Sequence, residues 1–327
     1  MRERPGGFFL FRAAPAGRAR GNNDRMPSSA VRARVVATVL VTVPFALAGA
    51  GAAVAGVAAR PVAAAPAAPR TGHVAGGFPM IPAGPPRAPA WSGVSNITSA
   101  DSLNWAGYAV TRSRLRFTAV RATFFVPYLN CAKSPGTALS SSWVGFDGFT
   151  GHADSVEQGG IAANCGATGK ASYFAWWETF PRAEVRASLR IAAGDSITAS
   201  VTFNAKTRNY KISLTDNTRG AHFTVLRKCP HVRVGTSLLR CPRDSAEIIS
   251  EAPATGSKLA IARLADYGAI SFGGISITDS RGAHGGIVSS RWNATRITQL
   301  GSSGGPTLAR PTPTAASTFD TYWLREG

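Results

Sequence analysis

The chain has 327 residues, with 36 Lys and Arg against 17 Asp and Glu, a formal net charge of +19 and four cysteines. Eleven of the basic and two of the acidic side chains precede residue 101, so about half of the excess belongs to the N-terminal region. The other arginines, such as Arg112, Arg116, Arg121 and Arg182, are scattered, which argues for a solvated cationic surface and against a nucleic-acid-reading motif.

Arg32 and Arg34 precede an apolar, small-residue run from Val35 to Ala58. A positive region followed by such a run, then Ala-rich cleavage sites, predicts a signal peptide within residues 1–59 and a secreted protein. The run is long enough to span a bilayer, so contact with a membrane is expected only if it stays uncleaved. Residues 60–98 are Pro, Ala and Gly with almost no large aliphatic side chains. They cannot bury enough surface to offset ordering entropy and read as a linker or pro-segment. A single domain is expected over 99–300, followed by a flexible Ser/Gly/Pro/Thr-rich tail over 301–327.

Within the domain the dominant period is two. Candidate strands cover 104–110, 117–127, 141–147, 155–161 and 172–179. In "SITASVTFNA", Ile197, Ala199, Val201 and Phe203 alternate with polar residues, as Tyr210, Ile212 and Leu214 do in "YKISL". "AGD" at 193–195 and "DNTRG" at 216–220 supply turns, and "AHFTVL" follows as a strand. Further strands are expected at 245–251, 269–277 and 292–299, with no helical stripe. The expected fold is all-β, an antiparallel two-sheet sandwich of the concanavalin or lectin-like kind.

Cys131, Cys165, Cys229 and Cys241 form an even set behind an export signal and predict two disulfides. Cys229 and Cys241 bracket a short loop and are paired, leaving Cys131 with Cys165. Metal spacing such as C-x-x-C is absent, so neither a metal nor a cofactor is expected.

The common hydrolase signatures G-x-S-x-G and H-E-x-x-H are missing, and the domain histidines His152, His222, His231 and His284 have no evident nucleophile partner. Any hydrolytic chemistry must therefore use carboxylates and amides. Two segments offer them. "SSSWVGFDGFTGHADSVEQGG" holds Trp143, Asp147 and Gln158, and "SAEIISEAP" places Glu247 and Glu251 on one strand face. Burying such carboxylates is costly and raises their pKa, and the plain alternative is a pair of solvent-facing edge glutamates.

"NWAGY", "SSWVGFDG", "VEQGG", "SYFAWWETFP", "AEIISEAP" and "LADYGAISF" resemble, in order and spacing, the glutamic peptidases or eqolisins. These are secreted acid proteases insensitive to pepstatin. The similarity covers about Asn104 to Leu300. It implies a monomeric acid endopeptidase acting on protein or peptide substrates, with no nucleic acid involved. It also implies a catalytic dyad: Glu251 as the general base that activates water and Gln158 as the amide that stabilises the oxyanion. Groove-lining positions map onto Trp105, Trp143, Asp147, Trp176 and Glu178. Phe174 stands where the family commonly has an acid, and "EQGG" replaces the commoner Gln-Thr-Gly. By parity Trp176 and Trp177 point to opposite faces. The competing reading is a non-catalytic carbohydrate- or cell-wall-binding sandwich that uses the same tryptophans as platforms.

Overall fold

The computed structural model describes residues 78–84, 97–134, 136–151, 155–234, 236–255 and 260–327, and their regular structure is β-strand apart from one short 3-10 turn at Cys131–Lys133. The expected signal peptide, most of the 60–98 segment and His152 lie outside the described residues. The longer strands are β1 (Ile97–Ser102), β2 (Trp105–Thr111), β3 (Phe117–Phe125), β4 (Ala138–Phe146) and β5 (Val156–Cys165). There follow β6 (Ala171–Phe180), β7 (Ser196–Asn204), β8 (Asn209–Asp216), β9 (Ala221–Arg227) and β10 (Ser245–Glu251). The last four are β11 (Ala269–Asp279), β12 (Asn293–Leu300), β13 (Thr307–Pro311) and β14 (Phe319–Trp323).

Hydrogen-bonded neighbours run in the order β9-β8-β7-β3-β11-β14-β13-β12-β2-β10-β4-β5-β6. Every pairing along this path is antiparallel, while β1 lies parallel to β12. The path doubles over into two layers, β9-β8-β7-β3-β11 and β12-β2-β10-β4-β5-β6, bridged by the β13–β14 pair. The expected sandwich is present.

Alternation decides which side chains meet between the layers. Ile197, Ala199 and Val201 of β7, with Ile212 and Leu214 of β8, pack against Val144, Phe146, Ile161, Trp177 and Ile248 of the other layer. Each fully buried side chain of this kind stabilises the fold by about 1.5–3 kcal/mol. Trp177 belongs to this core, with the Arg227 guanidinium 4.3 Å from its ring centroid. Trp176 faces the other way, as parity requires.

Both disulfides form as the spacing suggested, Cys131–Cys165 and Cys229–Cys241. The C-terminal region departs from expectation. It is not a loose tail, since β14 pairs with both β11 and β13, and Leu308, Ala309 and Phe319 join the inter-layer core. These anchors sit singly among Pro, Thr and Ser, too short a run for any period to show. The 78–84 part of the supposed linker is also fixed in place. Ala83 N–H donates to Asp101 O at 3.0 Å, Leu103 N–H donates to Ile81 O at 2.8 Å, and Ser303 Oγ donates to Ala83 O at 2.6 Å.

Candidate active site

The outer face of the β12-β2-β10-β4-β5-β6 layer carries a second apolar cluster: Trp105, Ala109, Trp143, Val156, Ala162, Trp176, Ile249 and Ile297. Polar side chains of the same face are set into it in rows, because directly paired residues share a face. One row holds Glu247, Gly145, Gln158 and Glu178. The next holds Ile249, Trp143, Gly160 and Trp176, and a third holds Trp105, Glu251, Ser141, Ala162 and Phe174. Glu251 and Gln158 therefore lie on a diagonal of one face, two strands and four residues apart, with Trp143 between them.

The glycines that interrupt these strands make room for this arrangement. A Cβ on Gly160 would sit 2.1 Å from Ser142 O and 2.6 Å from Trp143 Cβ, so only glycine lets β4 and the Trp143 ring approach. A Cβ on Gly145 would meet Glu157 O at 2.9 Å, Gln158 Cβ at 3.0 Å and Trp143 Cζ3 at 3.1 Å. It would fill the space between the glutamine and the indole.

Glu251 closes β10 and is fully buried. Trp143 Nε1 donates to its Oε2 at 2.7 Å. Its Oε1 accepts from Asn104 Nδ2 at 3.2 Å and from the Phe78 N–H at 2.9 Å. Trp105 packs edge-on against Trp143, ring centroids 5.0 Å apart. Burial pushes the Glu251 carboxyl up to about 8, while the N–H groups of Phe78, Trp143 and Asn104 pull it back. The side chain is thus aimed by donors on both oxygens inside an apolar frame.

Gln158 is fully buried, and its Nε2 donates to Glu178 Oε2 at 2.8 Å, so the glutamate across the ladder fixes the amide. Glu247 lies in the same row, also fully buried, and burial holds its carboxyl well above the usual carboxylate range. Asp147 follows β4 at φ 70°, fully buried. Its Oδ2 accepts the Arg243 N–H at 2.9 Å and its Oδ1 accepts the Asp244 N–H at 3.0 Å. Its carboxylate is taken up by the 243–244 turn, so it shapes the end of the face through the backbone. Burial lifts this group to about 7. Phe174, in the Glu251 row, lies under Arg186, whose guanidinium carbon is 3.9 Å from the ring centroid.

Sequence reasoning did not pick out Asn104, although it stands next to Trp105 in "NWAGY". Besides Glu251, its amide donates to Pro79 O at 3.2 Å, and its Oδ1 accepts from the Ile81 N–H at 2.8 Å and from Ser102 Oγ at 3.0 Å. Replacing it with Leu keeps the bulk and removes a donor from the carboxylate. In Asn104→Leu the Glu251 carboxyl should titrate higher than in the parent, followed by carboxyl NMR of 13C-labelled glutamate. An unchanged midpoint would mean that this bond contributes nothing to ionisation.

The segment at 78–84 lies on this face as well. Phe78 meets Phe180 edge-on at 4.7 Å, Met80 packs on the tryptophan cluster, and its N–H donates to Gly148 O at 3.0 Å. A stretch that reads as linker thus supplies one of the three donors on Glu251.

The sequence profile of the Peptidase A4 family matches residues 103–316. Among solved structures, the chain is similar to scytalido-glutamic peptidase with a transition state analog inhibitor, at 24% identity and TM-score 0.54, over 68% of this chain and 98% of that one. A second structure of scytalido-glutamic peptidase, with a peptide based transition state analog, gives 22% identity and TM-score 0.53 over 68% and 98%. This likeness is one of fold. Aspergilloglutamic peptidase from Aspergillus niger is 24% identical, with TM-score 0.46, over 57% of this chain and 99% of that one. A search of curated proteins returned no match.

Proposed function

Because the chain belongs to the peptidase A4 family of glutamic-type peptidases, whose substrates are proteins or peptides, we propose that Glu251 and Gln158 carry out the hydrolysis. The observation that carries this reading is the setting of Glu251: a buried carboxylate with Trp143 and Asn104 donors on its two oxygens, on the same face as a clamped glutamine.

Flat-sheet spacings put the two Cα atoms roughly 16 Å apart, about 10 Å across two strands and about 13 Å along four residues. Trp143 of β4 holds the Glu251 carboxyl and Glu178 of β6 holds the Gln158 amide, and a water and a carbonyl group bridge what remains of that gap. The scissile peptide then lies along the diagonal. Glu251 takes the proton of the attacking water and returns it to the leaving amine, and the Gln158 NH2 donates to the oxyanion. Glu178 keeps the amide oriented so that little reorganisation is needed as charge develops.

In the closed arrangement, the Phe78 N–H occupies the oxygen that must hold water. Displacing this segment rehydrates the carboxyl, relaxes the desolvation that is the largest cause of its raised pKa, and lets it ionise in mild acid. Residues 78–84 act as a guard, and the apparent rate of the intact chain falls by the fraction of molecules in which they have left. A chain starting at Ile97 keeps all the long strands. It should hydrolyse denatured casein at about pH 3–5, with pepstatin present, at least about tenfold faster than the full chain. Equal rates would remove the guarding role, and no casein cleavage by either form would remove the peptidase reading of these residues.

Two disulfides and the apolar 35–58 run support export from the cell. The glycan-binding alternative would use Trp105, Trp143 and Trp176, each 0% exposed with residues 78–84 in place, and would survive Glu251→Gln with no casein cleavage by either form.

A further inference from the structure

A cleft lies away from Glu251. It occupies about 1000 Å³ among the 111–116 segment after β2, the β7–β8 turn and the end of the loop closed by Cys229–Cys241. Six arginines line it: Arg112, Arg114, Arg116, Arg208, Arg240 and Arg243. Asp244 is the single acid in the lining, and its Oδ1 is engaged by the Thr150 hydroxyl at 2.9 Å. Elsewhere this protein pairs its cations where acids are near, as Arg219 does with Asp195 at 3.1 Å. Among the described residues none of the six cleft arginines forms an ion pair.

A second observation is independent of charge. Of the five non-glycine residues with left-handed φ among the described ones, three are in this cleft: Arg114 at 61°, Arg208 at 54° and Arg243 at 55°. A Cβ-bearing residue costs roughly 1–2 kcal/mol there, and glycine would remove the cost. Arginine is kept in a strained conformation, surrounded by like charge. Arg243 is also pinned: its Nη1 donates to Phe117 O at 3.0 Å and its guanidinium carbon lies 3.7 Å from the Phe203 ring centroid. Burial is the main cause that lowers its pKa and the neighbouring Arg116 charge adds to it, while Tyr210, Asp147 and Glu157 on its inner side pull it back.

The ligand follows from charge density. Same-face carboxylates of an extended acidic peptide are spaced about 7 Å apart, too sparse to neutralise six guanidinium groups in one cleft. Phosphates joined through shared oxygens bring several charges into that space, and each offers the pair of oxygens that a guanidinium fork accepts side by side. We propose that this cleft binds a compact oligophosphate, as a site separate from the Glu251 face.

The test is calorimetric titration of the full chain at pH 5 and low salt, with tripolyphosphate in one arm and a short glycerol-phosphate oligomer in the other. Saturable tripolyphosphate binding that weakens as salt is added is expected, and it should be tighter than binding of the glycerol-phosphate oligomer, whose phosphates are spaced apart; a tighter oligomer would overturn the compact-phosphate reading. Arg114→Gly combined with Arg208→Gly removes two charges at positions where glycine adopts the backbone without strain. Its melting temperature should not fall, and affinity should drop at least about tenfold. Arg240→Gln, in an exposed segment, should weaken binding in the same direction. The proposal is overturned if neither probe binds, if both variants bind like the parent, or if a glutamate oligomer of equal charge competes as well as tripolyphosphate.

Discussion

Glu251→Gln is expected to lower turnover on denatured casein by at least about 100-fold, with the fold intact. Glutamine fills the same volume, so the tryptophan frame around it stays packed. What changes is chemistry. An amide cannot take a proton from water, and its NH2 must face one of the donors that now point at the two carboxylate oxygens, Trp143 Nε1 on one side and Asn104 Nδ2 on the other. The signature is a lost kcat with near-ultraviolet circular dichroism of the buried tryptophans unchanged. Gln158→Ala should cost a similar factor if it removes the proposed oxyanion donor. The double variant should be little worse than either single one, because the two groups act on one transition state. Substantial activity in both single variants, measured on the chain starting at Ile97, would sink the assignment of roles. Loss in one alone would point to the residue that matters.

Melting temperature should fall as pH rises from about 4.5 to about 8, the reverse of ordinary acid denaturation. Four fully buried carboxyls carry this expectation. Burial lifts Asp147 to about 7 and Glu251 to about 8, and holds Glu157 and Glu247 well above the usual range. Each keeps its proton in the native state at a pH where the unfolded chain has lost it. Native protein then binds more protons than unfolded protein, and stability declines with pH across the window between the two pKa values. The stabilisation is complete below about pH 4 and is lost as pH passes the native values. Asp147 and Glu157 interact, so their contributions are not independent. A change of several kcal/mol over the window corresponds to a drop on the order of 10 °C for a domain of this size. Repulsion within the basic surface works against this trend at low pH, and melts in about 0.15 M salt screen it while leaving buried groups unaffected. Glu247→Gln keeps the shape and removes one titrating group, so its profile should be flatter than the parent's. A melting temperature that climbs between pH 4.5 and 8 would contradict the burial of these acids.

Much of the fold was legible because strands announce themselves locally. Residues 245–251 were bounded in the sequence as they are in β10, and the apolar set of 197–201 is buried in β7 as the alternation required, with Thr198 buried beside it. The parity that split Trp176 from Trp177 and aligned Glu247 with Glu251 holds for the same reason, since side chains of a strand alternate between faces whatever its partner is. The pieces that escaped have no period to read. Leu308 and Phe319 are isolated among Pro, Thr and Ser, and 78–84 is held by backbone groups whose partners lie as far as 220 residues away.

The sequence by itself determined most strands between 104 and 299, their faces, the cysteine pairing and the motif order that places the chain in its family. These depend on neighbours one, two or a few residues apart, or on whole motifs in line. Only the tertiary structure decided that Gln158 is level with Glu247 and diagonal to Glu251, that Asn104 and Phe78 reach the Glu251 carboxyl, and that six arginines converge on one cleft. Register between strands, and the meeting of loops at a sheet's end, are set by the packing of the whole core, and no local pattern carries that information.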